Sequence, residues 1–254
     1  ELSIAGAFSR CPPDDSPHLV RHDDGRWTGS VPAAADGHKY KFYVFGSGSE
    51  GFKRDPYARE LTIAWPDPEC ILRSAAFPWQ DSNWRTPGFR DLIVYQFHVG
   101  TWYGPNRGQR VAKFLDVLDR LEYLADLGVN AIEPLPIVEY STPRSMGYNG
   151  SDLFSPEMDY QVPPAELDGY LQTANRLLAQ KGKAPLERQV LASGVNQLKV
   201  LIDICHQYGL AVVLDVVYNH ASGDVTNQDE SIYFFDRAAG TDPNDSLYFT
   251  RENH

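Results

Sequence analysis

Asp215 and His220 are the residues of this chain whose type and position most clearly suggest chemistry. Asp215 interrupts an apolar run, with Val212, Val213 and Leu214 before it and Val216 and Val217 after it. Burying a carboxylate there costs on the order of several kcal/mol unless the group is hydrogen-bonded or paired. One reading is a strand aspartate that bonds local backbone amides; the other is a group held ready for a ligand. His220 follows five residues later, with Asn219 beside it. Alone it would be an ordinary structural histidine, but its place at the end of a strand-like run favours a functional role. His98 closes an earlier apolar run, Leu92–His98, and Glu133 lies late in another, Val129–Leu135. If these runs are parallel strands, their C-terminal ends form one rim, where such folds keep their active sites.

The elements needed to build that rim are legible. Leu92–His98 is nearly continuous in apolar residues, as expected of a strand covered on both faces. Val111, Phe114, Leu115, Leu118, Leu121 and Leu124 recur at helical spacing, closed by Gly128. The strand Val129–Leu135 follows. A second helix carries Leu198, Leu201, Ile202 and Cys205 and stops at Gly209, and the strand Leu210–Val217 comes next. Strand and helix in alternation open a parallel α/β fold with right-handed crossovers. A closed eight-stranded barrel takes about 250 residues, so the chain from Asp91 onward is expected to hold roughly the first three strands.

The residues before Asp91 read as all-β. Leu2–Phe8, His38–Phe45 and Leu61–Trp65 are rich in β-branched and aromatic residues, with turn clusters between them. Tyr40, Phe42 and Val44 alternate with Lys39, Lys41 and Tyr43, the period of a half-buried strand. The expectation is an immunoglobulin-like β-sandwich over 1–88, with its first strand lying upstream of Glu1. The first part of a (β/α)8 TIM barrel is expected over 89–254.

Composition narrows the classes. Of 254 residues, 42% are hydrophobic and 12% aromatic, which excludes whole-chain disorder. The formal charge of −11, with no basic block, argues against nucleic acid as a partner. The apolar runs are too short to span a membrane, and no leader-like segment opens the chain. Cys11, Cys70 and Cys205 form an odd set without metal-ligand spacing, read as buried hydrophobes in a reducing cytoplasm.

Four motifs in order then resemble the α-amylase family, family 13 of the glycoside hydrolases. Leu92-Ile-Val-Tyr-Gln-Phe-His-Val-Gly-Thr-Trp102 is similar to its first barrel strand, and Leu121 to Pro136 to its first helix and second strand. Gly147-Tyr-Asn-Gly-Ser-Asp152 resembles the loop that presents a sugar-stacking tyrosine, and Asp215-Val-Val-Tyr-Asn-His220 the first of the family's shared short motifs. Gly25-Arg-Trp27, Tyr40-Lys-Phe42, Lys53-Arg-Asp-Pro-Tyr-Ala58 and Phe77-Pro-Trp79 resemble the family 48-type carbohydrate-binding sandwich that precedes the barrel in branching and debranching enzymes.

The resemblance implies retaining hydrolysis or transglycosylation of α-1,4 or α-1,6 bonds in starch- or glycogen-type α-glucans. Asp215 and His220 would bond hydroxyls of the glucose whose bond breaks, and Tyr148 would stack on that ring. Asn219 would support them from behind or, in calcium-binding relatives, ligate calcium; no other cofactor is implied. The family's nucleophile and acid belong to later strands, so they are expected beyond His254 and no catalytic residue is assigned here. Trp27, Trp65, Trp79 and Trp84 are open between sugar stacking and packing.

Departures are visible too. Met146 stands where relatives often carry Trp, and Tyr160-Gln-Val-Pro163 where Tyr-Gly-x-Pro is usual. The stretch 161–194 is expected as an insertion, with a helix over 165–180, either shaping the substrate cleft or decorating the surface. The Tyr-Asn-His ending favours a hydrolase, with a 1,4-α-glucan branching enzyme and a non-catalytic glycan-binding protein as alternatives. A nucleotide-binding doubly wound fold is set aside for want of a Gly-x-Gly-x-x-Gly turn.

Overall fold

The computed structural model describes residues 1–9, 16–46, 49–63, 68–103, 110–140 and 145–220. Cys11 and Trp65 fall outside that set, as does everything after His220. Among the described residues the strands are β1 (Leu2–Gly6), β2 (Val20–Arg21), β3 (Trp27–Thr28), β4 (Lys39–Gly46), β5 (Ser49–Lys53), β6 (Cys70–Ile71), β7 (Val94–Phe97), β8 (Ala131–Pro134), β9 (Val138–Tyr140), β10 (Gly150–Pro156) and β11 (Ala211–Val212). The α-helices are α1 (Leu121–Asp126), α2 (Leu167–Gln180) and α3 (Gly194–Gln207). The chain divides into two compact units: Glu1–Ser74 with Val138–Ser155 and Val217–His254, and Ala75–Ile137 with Pro156–Val216.

In the first unit β4 is the spine. It pairs antiparallel with β1 from Leu2↔Val44 to Gly6↔Tyr40, with β5 from Phe42↔Lys53 to Gly46↔Ser49, and with β6 at Tyr40↔Cys70. Ala5, Tyr40, Ala58, Leu61 and Cys70 are buried. The expected alternation along β4 is only partly realised. Tyr40 is buried, but so is Lys41, while Phe42, Tyr43 and Val44 are all half-buried. Lys41 sits opposite the small Ala5 in the register, so its methylene stem is covered where a charged residue was expected to face water. Of the expected strand Leu61–Trp65, only 61–63 lie among the described residues. Leu61 makes a single bridge to Cys70, and Ile63 is exposed. A separate small sheet joins β9 and β10.

The second unit is built on a parallel sheet of order β11-β8-β7, with Val94↔Ala131 to Phe97↔Pro134 on one side of β8 and Ala211↔Ala131 on the other. Asn130 aligns the start of β7: its Oδ1 accepts from the Ile93 N–H at 2.7 Å and its Nδ2 donates to the Asp91 carbonyl at 2.8 Å. The first expected helix begins as a 3₁₀ turn, Phe114–Arg120, and only then becomes α1. Lys113 N–H donates to Asp116 Oδ2 at 2.7 Å and caps that turn. Gly128 (φ 88°) and Gly209 (φ 80°) end the helices before β8 and β11, where the chain turns through the left-handed region.

Phe114, Leu118, Leu121, Leu177, Leu201 and Ile204 belong to one fully buried cluster. The helix expected inside 161–194 is α2, and it is no surface decoration: Leu167, Ala174, Leu177 and Leu178 are buried in that same cluster. Gln197 of α3 ties the segment down, accepting from Val162 N–H at 2.7 Å and donating to the carbonyls of Val162 and Leu191 at 3.0 Å each.

Two strand expectations need correction. β7 is covered on one face only, with Phe97 buried but Val94 and Gln96 exposed. β11 is two residues long, and Leu214 and Val216 are exposed. Asp215 therefore lies past the regular strand and is half-exposed, so the desolvation argument for it loses its force.

Candidate functional site

The loop that carries Tyr148 is set by a tight turn. Met146 (φ 53°) and Gly147 (φ 93°) both lie in the left-handed region. For methionine that conformation is strained and needs support from its surroundings. The support comes from Ser145, which is buried: its carbonyl accepts from Tyr148 N–H at 3.0 Å and its Oγ from Asn149 N–H at 2.7 Å. Gly150 then starts β10 against Val138, where an added Cβ would meet Val138 Cγ2 at 2.8 Å. Tyr148 is left 44% exposed.

His220 comes back onto this loop. Its Nε2 lies 2.9 Å from Asn149 Oδ1, and its Nδ1 faces Asn219 Nδ2 at 3.4 Å. Two motifs far apart in sequence, Gly147–Asp152 and Asp215–His220, are thereby joined through Asn149 and His220.

Beneath the loop lies an ion pair that the sequence reading missed. Arg54 Nε donates to Asp152 Oδ1 at 2.9 Å and Nη2 to Oδ2 at 2.8 Å, with the two side chains 0% and 1% exposed. Ser151 Oγ adds a bond to Asp152 Oδ2 at 2.9 Å. Three residues on, Tyr57 stacks against Phe154 at 5.1 Å between ring centroids and 24° between planes. Asp55, in the same turn, accepts from Tyr57 N–H at 2.8 Å and from the Tyr40 hydroxyl at 2.6 Å. Both motifs, Lys53–Ala58 and Gly147–Asp152, stood out separately. Nothing in a single sequence pairs an arginine with an aspartate 98 positions away.

In the second unit, His98 at the end of β7 is fixed from both ring nitrogens, Nε2 to the Tyr160 hydroxyl at 3.1 Å and Nδ1 to Thr101 Oγ1 at 3.2 Å. The register sets Glu133 beside Gln96. His98 and Glu133 thus both lie near the C-terminal end of the parallel sheet, and Asp215 follows β11 in the same unit. Trp84 is a packing residue, stacked on His206 at 4.8 Å, and Trp79 packs edge-on against Phe77 at 4.7 Å. Burial pushes the Cys70 thiol up to about 12 and raises that of Cys205 as well. Among the described residues no three His, Cys, Asp or Glu side chains gather as a metal site. Asn219 turns its Nδ2 towards His220.

The resemblance to the α-amylase family read from the motifs is matched by similarity to members of that family over nearly the whole chain. The 1,4-alpha-glucan branching enzyme GlgB of Bacillus caldolyticus is 26% identical over 246 residues, covering 94% of this chain and 31% of that enzyme. The malto-oligosyltrehalose trehalohydrolase of Deinococcus radiodurans is 30% identical over 185 residues, 72% of this chain and 24% of that one. The fold matches the crystal structure of a putative alpha amylase from Salmonella typhimurium with a TM-score of 0.63 at 23% identity, covering 88% of this chain and 30% of that one. A product complex of the glycogen-degrading pneumococcal virulence factor SpuA matches with a TM-score of 0.61 at 20% identity, over 87% of this chain and 25% of that one. The chain thus spans about a third or less of the length of these relatives. No family model matches it.

Proposed function

We propose that this chain forms the glucan-gripping front part of a retaining α-amylase-family enzyme. In this reading residues 1–88 are a β-sandwich module of carbohydrate-binding type. Residues 89–254 open a (β/α)8 barrel, with 161–194 inserted. A parallel sheet with an apolar face needs cover on both sides, and the exposed Val94 face of β7 has the character of a barrel interior. The observation that carries the function is the His220–Asn149 bond, because it brings His220 onto the loop that displays Tyr148. Tyr148 would stack on a glucose ring, and His220 and Asp215 would bond its hydroxyls. Asn219 would support His220 from behind. No residue of this chain is assigned as nucleophile or acid; a retaining mechanism places that carboxylate pair about 5 Å apart across the scissile bond.

Calorimetric titration with maltoheptaose tests the reading. Wild type is expected to bind, and Tyr148→Ala and His220→Ala to weaken binding roughly tenfold or more, since a lost stacking face or buried polar contact is worth about 1–3 kcal/mol. Folded variants that bind as well as wild type would sink it.

Transfer rather than hydrolysis is favoured by the relatives named as branching enzymes. On amylose, branching lowers iodine staining without raising reducing ends, whereas hydrolysis raises them. The described residues contain no helix long and apolar enough to cross a membrane, and two buried thiols suit a reducing cytoplasm.

A further inference from the structure

We infer that Arg54, assisted by Tyr57, is a positioning residue for the Tyr148 loop, so that the N-terminal segment Lys53–Ala58 sets glucan affinity without touching sugar. The inference rests on the functional reading of Tyr148 and His220. β10 begins at Gly150, directly after Asn149. Its third and fifth residues, Asp152 and Phe154, are both held by one turn of the N-terminal region: Asp152 by the two-pronged bond from Arg54, Phe154 by the ring of Tyr57. Asp152 and Phe154 are two apart on one strand, so the turn grips a single face of it.

The grip differs in kind at the two points. The ion pair is dry and geometrically exact in direction, since a guanidinium meets a carboxylate in one plane. The stack is wet, with Tyr57 71% and Phe154 56% exposed. The first fixes where the strand starts, and the second limits its roll. Upstream of that anchored start the chain runs through a strained turn at Met146 and Gly147. Among the described residues, that turn has two local hydrogen bonds to Ser145 and a contact from His220. A loop so built takes its position from the strand it enters. Removing the anchor should therefore loosen Tyr148 and Asn149 while the parallel sheet of the second unit is untouched.

Hydrogen exchange followed by mass spectrometry decides this independently of sugar binding. The variants are Arg54→Lys, which keeps charge but loses the fork, and the apolar pair Arg54→Met with Asp152→Leu, which avoids stranding a buried charge. In the double variant the amides of Tyr148 and Asn149 should exchange roughly tenfold faster, with β7, β8 and α3 unchanged. Maltoheptaose affinity should fall roughly tenfold or more in the double variant and less in Arg54→Lys, since small misplacements of a binding group are costly. Unchanged exchange at Tyr148 and Asn149 in a folded double variant overturns the inference, as does faster exchange with unaltered affinity. If wild type binds no glucan, the functional reading fails, and exchange still shows whether Arg54 positions the loop.

Discussion

Asp203 shows how a single buried carboxylate can work against the fold it sits in. It is 1% exposed on α3, and its Oδ1 accepts from Gln80 N–H at 3.0 Å. Burial, the largest influence, raises its pKa above the ordinary aspartate value of 3.8; the neighbouring Asp81 adds to the rise, while the Gln80 bond, His206 and Lys183 oppose it. A raised folded-state value means the folded protein holds this proton more tightly than the unfolded chain. The stability it contributes is complete below about 3.8 and is lost as pH climbs through the raised value. Asp203→Asn keeps an oxygen for Gln80 and removes the charge. Its melting temperature is expected to exceed that of wild type at about pH 7 and to converge with it towards about pH 4. Calorimetric scans across that range check this, and a gap independent of pH would refute it. Sequence had no access to this residue, because Asp203 lies among helical polar positions and only the fold buries it. Tyr148 and His220 stood out as candidates because they sit in short motifs with local spacing. Arg54 and Asp152 did not, since their partnership is created entirely by long-range folding.

Among the elements, helices were read more faithfully than strands, and the reason is physical. A helix satisfies its own backbone bonds, so apolar spacing and a terminal glycine define it locally. The stretch ending at Gly209 behaves that way, whereas the one ending at Gly128 is α-helical only from Leu121 to Asp126. A strand exists only where a neighbour pairs with it. Leu61–Ile63, the described part of one expected strand, makes just one bridge among the described residues, and Leu210–Val217 forms two strand residues where eight were expected. The 161–194 segment is the instructive case. Its helix was visible from Leu167, Tyr170, Leu171, Ala174 and Leu177, but sequence left open whether that apolar stripe faced anything. It faces the shared core of α1 and α3. Leu177, with no exposure, is therefore expected to behave as a core residue: Leu177→Ala should cost about 2–5 kcal/mol in urea unfolding. Exposed Tyr123→Ala on α1 should cost well under half of that. Equal costs would show that α2 adds little to the core.

At the scale of the whole molecule, the parallel sheet of the second unit carries the largest unresolved cost. Among the described residues β7 pairs with β8 alone, leaving one row of backbone donors and acceptors open. Ile93 and Val94, at 58% and 40% exposure, lie along it, and Phe89 just before it is 90% exposed. Open apolar strand edges pair with whatever strand is near, most often another copy. The net charge of −11 opposes close approach, but over a Debye length of only about 8 Å at physiological salt. Short-range pairing should then win at high concentration and moderate salt. The 254-residue chain on its own is expected to self-associate as its concentration rises, more so in added salt, by sedimentation velocity. Val94→Lys, which places a charge on the open edge, should shift it back towards monomer. A longer polypeptide in which the proposed barrel is closed should stay monomeric under the same conditions, because closure removes the edge altogether. Monomer at every concentration for the 254-residue chain would mean that something on this chain already shields β7, and the barrel-opening assignment would lose its main structural support.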